Sequence, residues 1–273
     1  MMEVTPPAGH HPPGERGNGV TKAYMVRIGA NEATCVRVRA PEALPTAIAD
    51  AGLTIPSPVA VLVGGAGGLD ADGLSRLAPI FTTGLVPALR QSGAVAVDGG
   101  TDAGVMRLLG EAHAASAETF PLVGVAADGR VRVPGMPTLR DDAADLEPHH
   151  THFILVPGSE WGAEASWIAL TASCLAGPAP SVTVLVNGGD IVYQDARFSL
   201  QAGREILVID GSGRAADEIA AAVRGEPADP RARGIAESGL VSYVSADNPS
   251  AVRDAVTAAL MTTGPLTSFP HQG

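Results

Sequence analysis

Short runs of β-branched and aliphatic residues recur along this chain, each followed by a glycine cluster and then by a stretch with helical spacing. The runs read "PVAVLVGGAGG" (58–68), "GAVAVDGGTDAG" (93–104), "HFILVPGSEWG" (152–162), "SVTVLVNGG" (181–189) and "EILVIDGSG" (205–213), with a plainer one in "PLVGVA" (121–126). Continuous apolar runs of this length suit parallel strands buried on both faces. Between them, Leu74, Leu77, Ile80, Phe81, Leu85 and Leu89 carry helical spacing, as do Val105, Leu108, Leu109 and Ala112. This alternation predicts an α/β fold: a Rossmann-like parallel sheet with helices on both faces. Right-handed crossovers then set the glycine-rich loops along one edge, at the carboxyl ends of the strands.

The flanks read as additions to that unit. Residues 23–39 alternate around Gly29 and Asn31 as a hairpin does, and residues 41–53 suit a short helix after Pro41. A Pro-rich connector at 224–234 precedes a strand at 240–244 and a closing helix at 250–261. No linker divides the chain. The expected organisation is a flexible tail over 1–20, a single domain over 21–265, and a short tail over 266–273.

Composition narrows the partners. With 45% hydrophobic and 17% charged residues, most of the chain can fold. Eighteen basic against 29 acidic residues, a net charge of −11, disfavour nucleic acid and anionic membranes. Aromatic residues, at 4%, are too few for a base-stacking surface. An anionic ligand therefore needs a local positive site. Cys35 and Cys174 make neither a disulfide framework nor a metal motif. The first twenty residues lack the apolar core of a secretory signal, and no apolar run approaches bilayer-spanning length. A cytoplasmic protein without a membrane partner is expected, with homo-oligomerisation left open.

Candidate chemistry lies in the glycine loops. Gly64, Gly65, Gly67 and Gly68 fit no G-x-G-x-x-G pattern, so a plain turn competes with a ligand cradle. In "DGGTDAGVM", Gly99 and Gly100 open a turn, Thr101 and Asp102 can cap, and Gly104 and Val105 begin a helix able to face phosphate. Asn187, Gly188 and Gly189 close the next run. Gly211, Ser212, Gly213 and Arg214 close the last one. There Ser212 and Gly213 suit a helix cap, and Arg214 is placed for a bidentate phosphate contact; the alternative is a capped loop with its arginine in solvent. Ser212 lacks the G-x-S-x-G context of a catalytic serine.

Two further clusters complete the set. His149, His150 and His152 lack a third ligand at metal-motif spacing, so no metal is expected; they read as a polar edge of the crevice, with His152 on it. In "PGSEWGAEASW" (157–167), Gly158, Ser159, Trp161, Gly162 and Glu164 are candidates. Glu160 and Glu164 can simply serve a helix dipole. A carboxylate here can also hold ribose hydroxyls or act as general acid/base on a glycosidic bond.

The pieces "GGAGG", "GLSRLAPIFTTGLVPALRQSGAVAVDGGTDAGVMRLLGEA", "HTHFILV", "WGAE" and "DGSGRAAD" occur in one order across residues 58–224. In this the chain resembles the SLOG superfamily, in its prokaryotic LSDAT branch related to the N-terminal homology region of TRPM channels. The resemblance implies a Rossmann-like domain that binds a nucleotide or an NAD-derived ligand such as ADP-ribose, with no further cofactor. The related LOG enzymes cleave nucleotide N-glycosidic bonds through a P-G-G-x-G-T-x-x-E loop. Here Pro157, Gly158, Gly162 and Glu164 fit that loop loosely, Ser159 replaces its second glycine, and its threonine is missing. The nearest candidate for the LOG-type arginine is Arg140. These departures favour a ligand-sensing module over a hydrolase with Glu164 as its acid/base. An interaction scaffold without ligand is the third reading.

Overall fold

The computed structural model describes residues 19–137 and 140–262. Its first element is the expected hairpin, β1 (Tyr24–Ile28) and β2 (Asn31–Arg37), with Gly29 turning in the left-handed region. Val20, at the end of the expected tail, is fully buried and bridges Val38, so ordered structure is in place by that residue. The remainder of that tail through residue 18, and the expected tail at 266–273, lie outside the described residues. A short helix, α1 (Leu44–Asp50), leads to β3 (Val59–Gly64).

The next helical stretch is interrupted. After α2 (Ala71–Pro79) comes a π-helical turn, Ile80–Leu85, and then α3 (Val86–Ser92). Pro87 has no N–H to offer the carbonyl of Thr83 four residues back, so the ladder widens ahead of it. The chain continues through β4 (Val95–Asp98), α4 (Gly104–Ala114), β5 (Leu122–Ala127), and the short pair β6 (Val131–Arg132) and β7 (Ala144–Asp145). The second half runs through β8 (His152–Val156), α5 (Ala165–Ala176), β9 (Ser181–Val186), α6 (Asp190–Gln201) and β10 (Glu205–Asp210). It closes with α7 (Arg214–Val223), α8 (Pro230–Ala236), β11 (Val241–Ser245) and α9 (Pro249–Met261).

Nine strands form one sheet in the order β1-β2-β8-β5-β4-β3-β9-β10-β11. Only the β1–β2 hairpin is antiparallel; the other neighbours in this sheet are parallel. The strands alternate their side chains between two helical layers, as the pleat requires. Val61 and Val63 of β3 pack with α1, α5, α6, α7 and α8, whereas Ala60 and Leu62 pack with α2, the π turn, α3, α4 and α9. A smaller cluster around Phe153 seats the hairpin and the segment bearing β6 and β7. The fold is thus α/β and Rossmann-like, with helices on both faces.

The strand order reverses beside β3. From β3 the chain proceeds to β4, β5 and β8 on one side, then α5 carries it back to β9 on the other. Such a switch point splays the loops at the carboxyl ends of the two neighbouring strands and opens a crevice between them.

Candidate functional site

Three backbone segments approach one another at this crevice because they carry no Cβ. A Cβ on Gly64 would collide with the Val186 carbonyl of β9 and with Val105 of α4. Gly104, at φ +50°, packs so closely that a Cβ would fall on the Gly65 carbonyl, which accepts the Val105 amide at 3.2 Å. The β3–α2 loop, the start of α4 and the β9–α6 loop are therefore locked together. Between them lies a cavity of about 340 Å³, within the range of small-ligand pockets. Gly64, Gly65, Gly67, Gly68, Gly99, Thr101, Trp161, Glu164, Gly189 and Arg214 all line it.

Arg214 stands at one end of that cavity. It opens α7 with φ +55°, a conformation rare for a residue with a side chain. Its Nη1 donates to the Gly67 carbonyl at 3.0 Å, and its guanidinium fills the space a side chain would need at Gly68 or Gly189. Among the described residues it has no carboxylate partner. The backbone around it is spoken for. Asp217 Oδ1 accepts the amides of Gly211 and Gly213 at 2.8 and 3.0 Å, and the amides of Ala215 and Ala216 donate to the carbonyls of Gly188 and Asn187. What this corner can offer an anion is the guanidinium, together with the amides of Asp190 and Ile191 that open α6, since the Val192 amide already donates to the Gly189 carbonyl. Ser212 does not cap α7 as expected. It is fully buried, its Oγ donates to the Ile209 carbonyl at 2.6 Å, and it accepts the Asn187 amide at 2.8 Å, tying β10 to the β9–α6 loop.

The other end is acidic and partly aromatic. Glu164 precedes α5 and accepts the Gly162 amide on Oε1 at 3.2 Å, while its Oε2 is buried without a partner among the described residues. Burial pushes its carboxyl above the ordinary carboxylate range, against the Gly162 amide and Arg130. Asp195 of α6 lines the same cavity, and burial together with the charge of Glu164 pushes it up to about 7. Arg130 lies buried beside them. It pairs with Asp142 at 2.7 Å, approaches Glu160 at 3.7 Å, and sits 4.9 Å from the Trp161 ring centroid.

A buried charge array holds the floor of the β4–α4 loop. His150 has no exposed side-chain surface; its Nε2 meets Asp98 Oδ1 and its Nδ1 meets Glu147 Oε2, both at 2.8 Å. Asp98 Oδ1 also accepts the Gly100 amide at 2.7 Å, and the Glu147 amide donates to the Gly100 carbonyl at 3.0 Å. Burial opposes a charge on His150, but Asp98 and Glu147 outweigh it and hold the imidazolium up to about 9. Burial likewise opposes the charge of Glu147, and the hydrogen bonds from His150 and His149 outweigh it, keeping the carboxyl below its ordinary range. The array fixes Gly99 and Thr101 in the cavity wall.

Known proteins bear on this arrangement. The family described as "SLOG in TRPM, prokaryote" matches residues 57–254, which include the sheet from β3 to β11. The chain belongs to this family. It is also similar to transient receptor potential cation channel subfamily M member 2 of Rattus norvegicus, with 27% identity over 208 residues. The Mus musculus protein of the same name is 27% identical over 204 residues. Each alignment covers 62% of this chain and 13% of the channel. A subfamily M member-like 2 protein of Nematostella vectensis is 29% identical over 181 residues, 53% of this chain and 12% of that protein. The likeness thus concerns a small part of each channel. Among the described residues no helix is long and apolar enough to cross a membrane.

Within this SLOG domain several expected site residues have other tasks. His152 begins β8 and so lies at the amino end of the sheet, opposite the cavity, where its Nδ1 meets Thr151 Oγ1 at 2.7 Å. His150, expected at a polar crevice edge, is sealed in the core instead. Gly100 packs against Gly124 and Phe153, and Val105 is fully buried. Asn187, Gly188, Gly211 and Gly213 build the loops behind Arg214 rather than the cavity wall. Gly158, Ser159 and Gly162 of the LOG-like loop also stay outside the cavity, with Gly158 pressed against Ala127 and Ala163. Asp102 pairs with Arg107 at 2.7 Å and α4 starts without a side-chain cap. Arg140 is exposed and paired with Asp142, so at this end of the cavity the lining arginine is Arg130. Arg130, Asp195 and the Asp98–His150–Glu147 array were not apparent in the sequence. The one local signal was "ADGR" closing the β5 run.

The array makes stability depend on pH. His150 titrates near 6.5 when unfolded and about 9 when folded, so its contribution is complete below pH 6.5 and is lost as pH rises through 9. Denaturant unfolding of the wild type should lose about 3 kcal/mol across that window. His150→Ala should lower stability near neutral pH by about 3–5 kcal/mol, because two carboxylates are left buried without their cation, and should flatten the alkaline slope. Constant wild-type stability from pH 6.5 to 9.5 would contradict the assignment.

Proposed function

We propose that this domain binds a nucleotide of the ADP-ribose type in the switch-point cavity, with a phosphate at Arg214 and no further cofactor. One observation carries the reading: in a chain of net charge −11, the guanidinium of Arg214 lines the cavity with no carboxylate partner among the described residues. A planar fork held against glycine backbone is suited to phosphate oxygens. The motif resemblance to nucleotide-binding SLOG members points the same way, and so does the eroded LOG-type loop, which leaves binding without turnover as the simpler role. Such a ligand belongs to the cytoplasm, and the domain works there as a sensor.

Binding to the folded state alone raises thermal stability by mass action. Among ADP-ribose, cyclic ADP-ribose, NAD, AMP and ATP, at least one should raise the unfolding temperature. For that ligand Arg214→Ala should weaken affinity by about 1.5–3 kcal/mol, and Arg214→Lys should recover only part of the loss. Equal affinity of wild type and Arg214→Ala in a calorimetric titration removes Arg214 from the site.

A second reading rests on Glu164, whose Oε2 is buried without a partner and whose carboxyl is raised by burial. A carboxyl in that state can act as general acid on a glycosidic leaving group. If the domain hydrolyses nucleotide N-glycosidic bonds, Glu164→Gln should slow base release by about 100-fold or more while affinity stays nearly constant. Wild-type protein that frees no base from AMP or NAD rules out the hydrolase.

A further inference from the structure

The cavity has two chemically opposite ends, joined by α6. The Arg214 guanidinium occupies the space a side chain would need at Gly189, the residue before α6, and Asp195 lies six residues further along the chain. Six helical residues rise about 9 Å, a span that a pentose phosphate covers with a hydrogen bond at each end. At the far end Asp195 is half-buried, lines the cavity and makes no hydrogen bond or ion pair among the described residues. The Oε2 of Glu164 is equally without a partner. The guanidinium of Arg130 lines this end too, but Asp142 already engages it. Buried carboxylates without donors are costly, and a ligand that brings donors relieves that cost.

Resting on the nucleotide reading above, we propose that Asp195, with Glu164, selects a ribosyl phosphate by its free vicinal hydroxyls and excludes ligands that carry a second anion at the sugar. The phosphate lies toward Arg214 and the first turn of α6, and the sugar hydroxyls lie toward Asp195. Around Asp195 the charged groups are Glu164 at the start of α5, Arg130 after β5, Asp190 at the start of α6 and Arg214 at the start of α7. Arg231 of α8 is paired with Asp190 and Asp229. Burial and the Glu164 charge leave Asp195 half-protonated near neutral pH. The two carboxyl groups line the same cavity. They can accept from one hydroxyl and donate to its neighbour, whereas a second phosphate meets like charge.

AMP contains the ribosyl phosphate unit and serves as the probe, with 2′-deoxy-AMP and adenosine 2′,5′-bisphosphate as comparators, titrated calorimetrically into the full chain at pH 7.5. Wild type should prefer AMP to either comparator by at least about tenfold, the effect of a hydrogen bond to a charged group. Asp195→Ala should cut the preference over 2′-deoxy-AMP to under about threefold, and a cooperative thermal unfolding transition of the free variant shows that it is folded. Asp195→Asn keeps the shape and removes the charge, so it should relieve the exclusion of the bisphosphate whether or not the alanine variant folds. Equal wild-type affinity for AMP and 2′-deoxy-AMP, or preferences unchanged in both variants, overturns the role of Asp195. Binding of ADP-ribose without AMP overturns this inference alone. Binding of neither overturns the nucleotide reading with it.

Discussion

The close approach of Gly104 to the Gly65 carbonyl is the contact on which the rest of the site depends. It brings the start of α4 against the β3–α2 loop at the place where the strand order reverses, and Gly64 lets β9 close in from the other side. With a Cβ at either position these backbones could not meet, and the cavity between them would have no continuous wall. Arg214 completes that wall from α7 through its bond to the Gly67 carbonyl. Its left-handed backbone is a strained choice for a residue with a side chain, and it is held by neighbouring amides that donate to Asp217 and to the carbonyls of the β9–α6 loop.

Electrostatics then divides the space these contacts enclose. The chain is acidic overall, and several carboxylates elsewhere are paired: Asp128 with Arg37, Asp210 with Arg224, Asp190 with Arg231. In the cavity, Arg214 lacks a carboxylate and Glu164 and Asp195 lack a cation in ion-pair contact among the described residues. Beneath the β4–α4 loop the opposite rule applies, since His150 is saturated by Asp98 and Glu147. That array is structural, and it keeps the cavity wall rigid without taking part in it.

Periodic, local features were legible in the sequence. The buried strands announced themselves as uninterrupted apolar runs, the helices by their spacing, and the glycine loops by composition, so the parallel sheet and its loop-bearing edge followed directly. The resemblance of the glycine-loop motifs added the SLOG assignment, and residues 57–254 match that family. Arg214 was visible because it stands where a strand ends and a helix begins. Asp195 was not, since it sits mid-helix among polar residues and only the packing of α6 against the cavity turns it inward. The partners of His150 lie 52 and 3 residues away, and no local pattern pairs them. Ser212 was misread as a cap because a serine before a helix usually serves its own helix, whereas here the β9–α6 loop offers it a buried partner in the Asn187 amide. The π turn escaped notice because its apolar spacing is also that of a plain helix.

A crystal structure of the ADP-ribose complex tests the central claim most directly. The account predicts a phosphate within hydrogen-bond distance of the Arg214 guanidinium and the first turn of α6, with ribose hydroxyls toward Glu164 and Asp195. A phosphate seated instead on the Gly158–Gly162 loop, with Arg214 still bonded only to the Gly67 carbonyl, would contradict it.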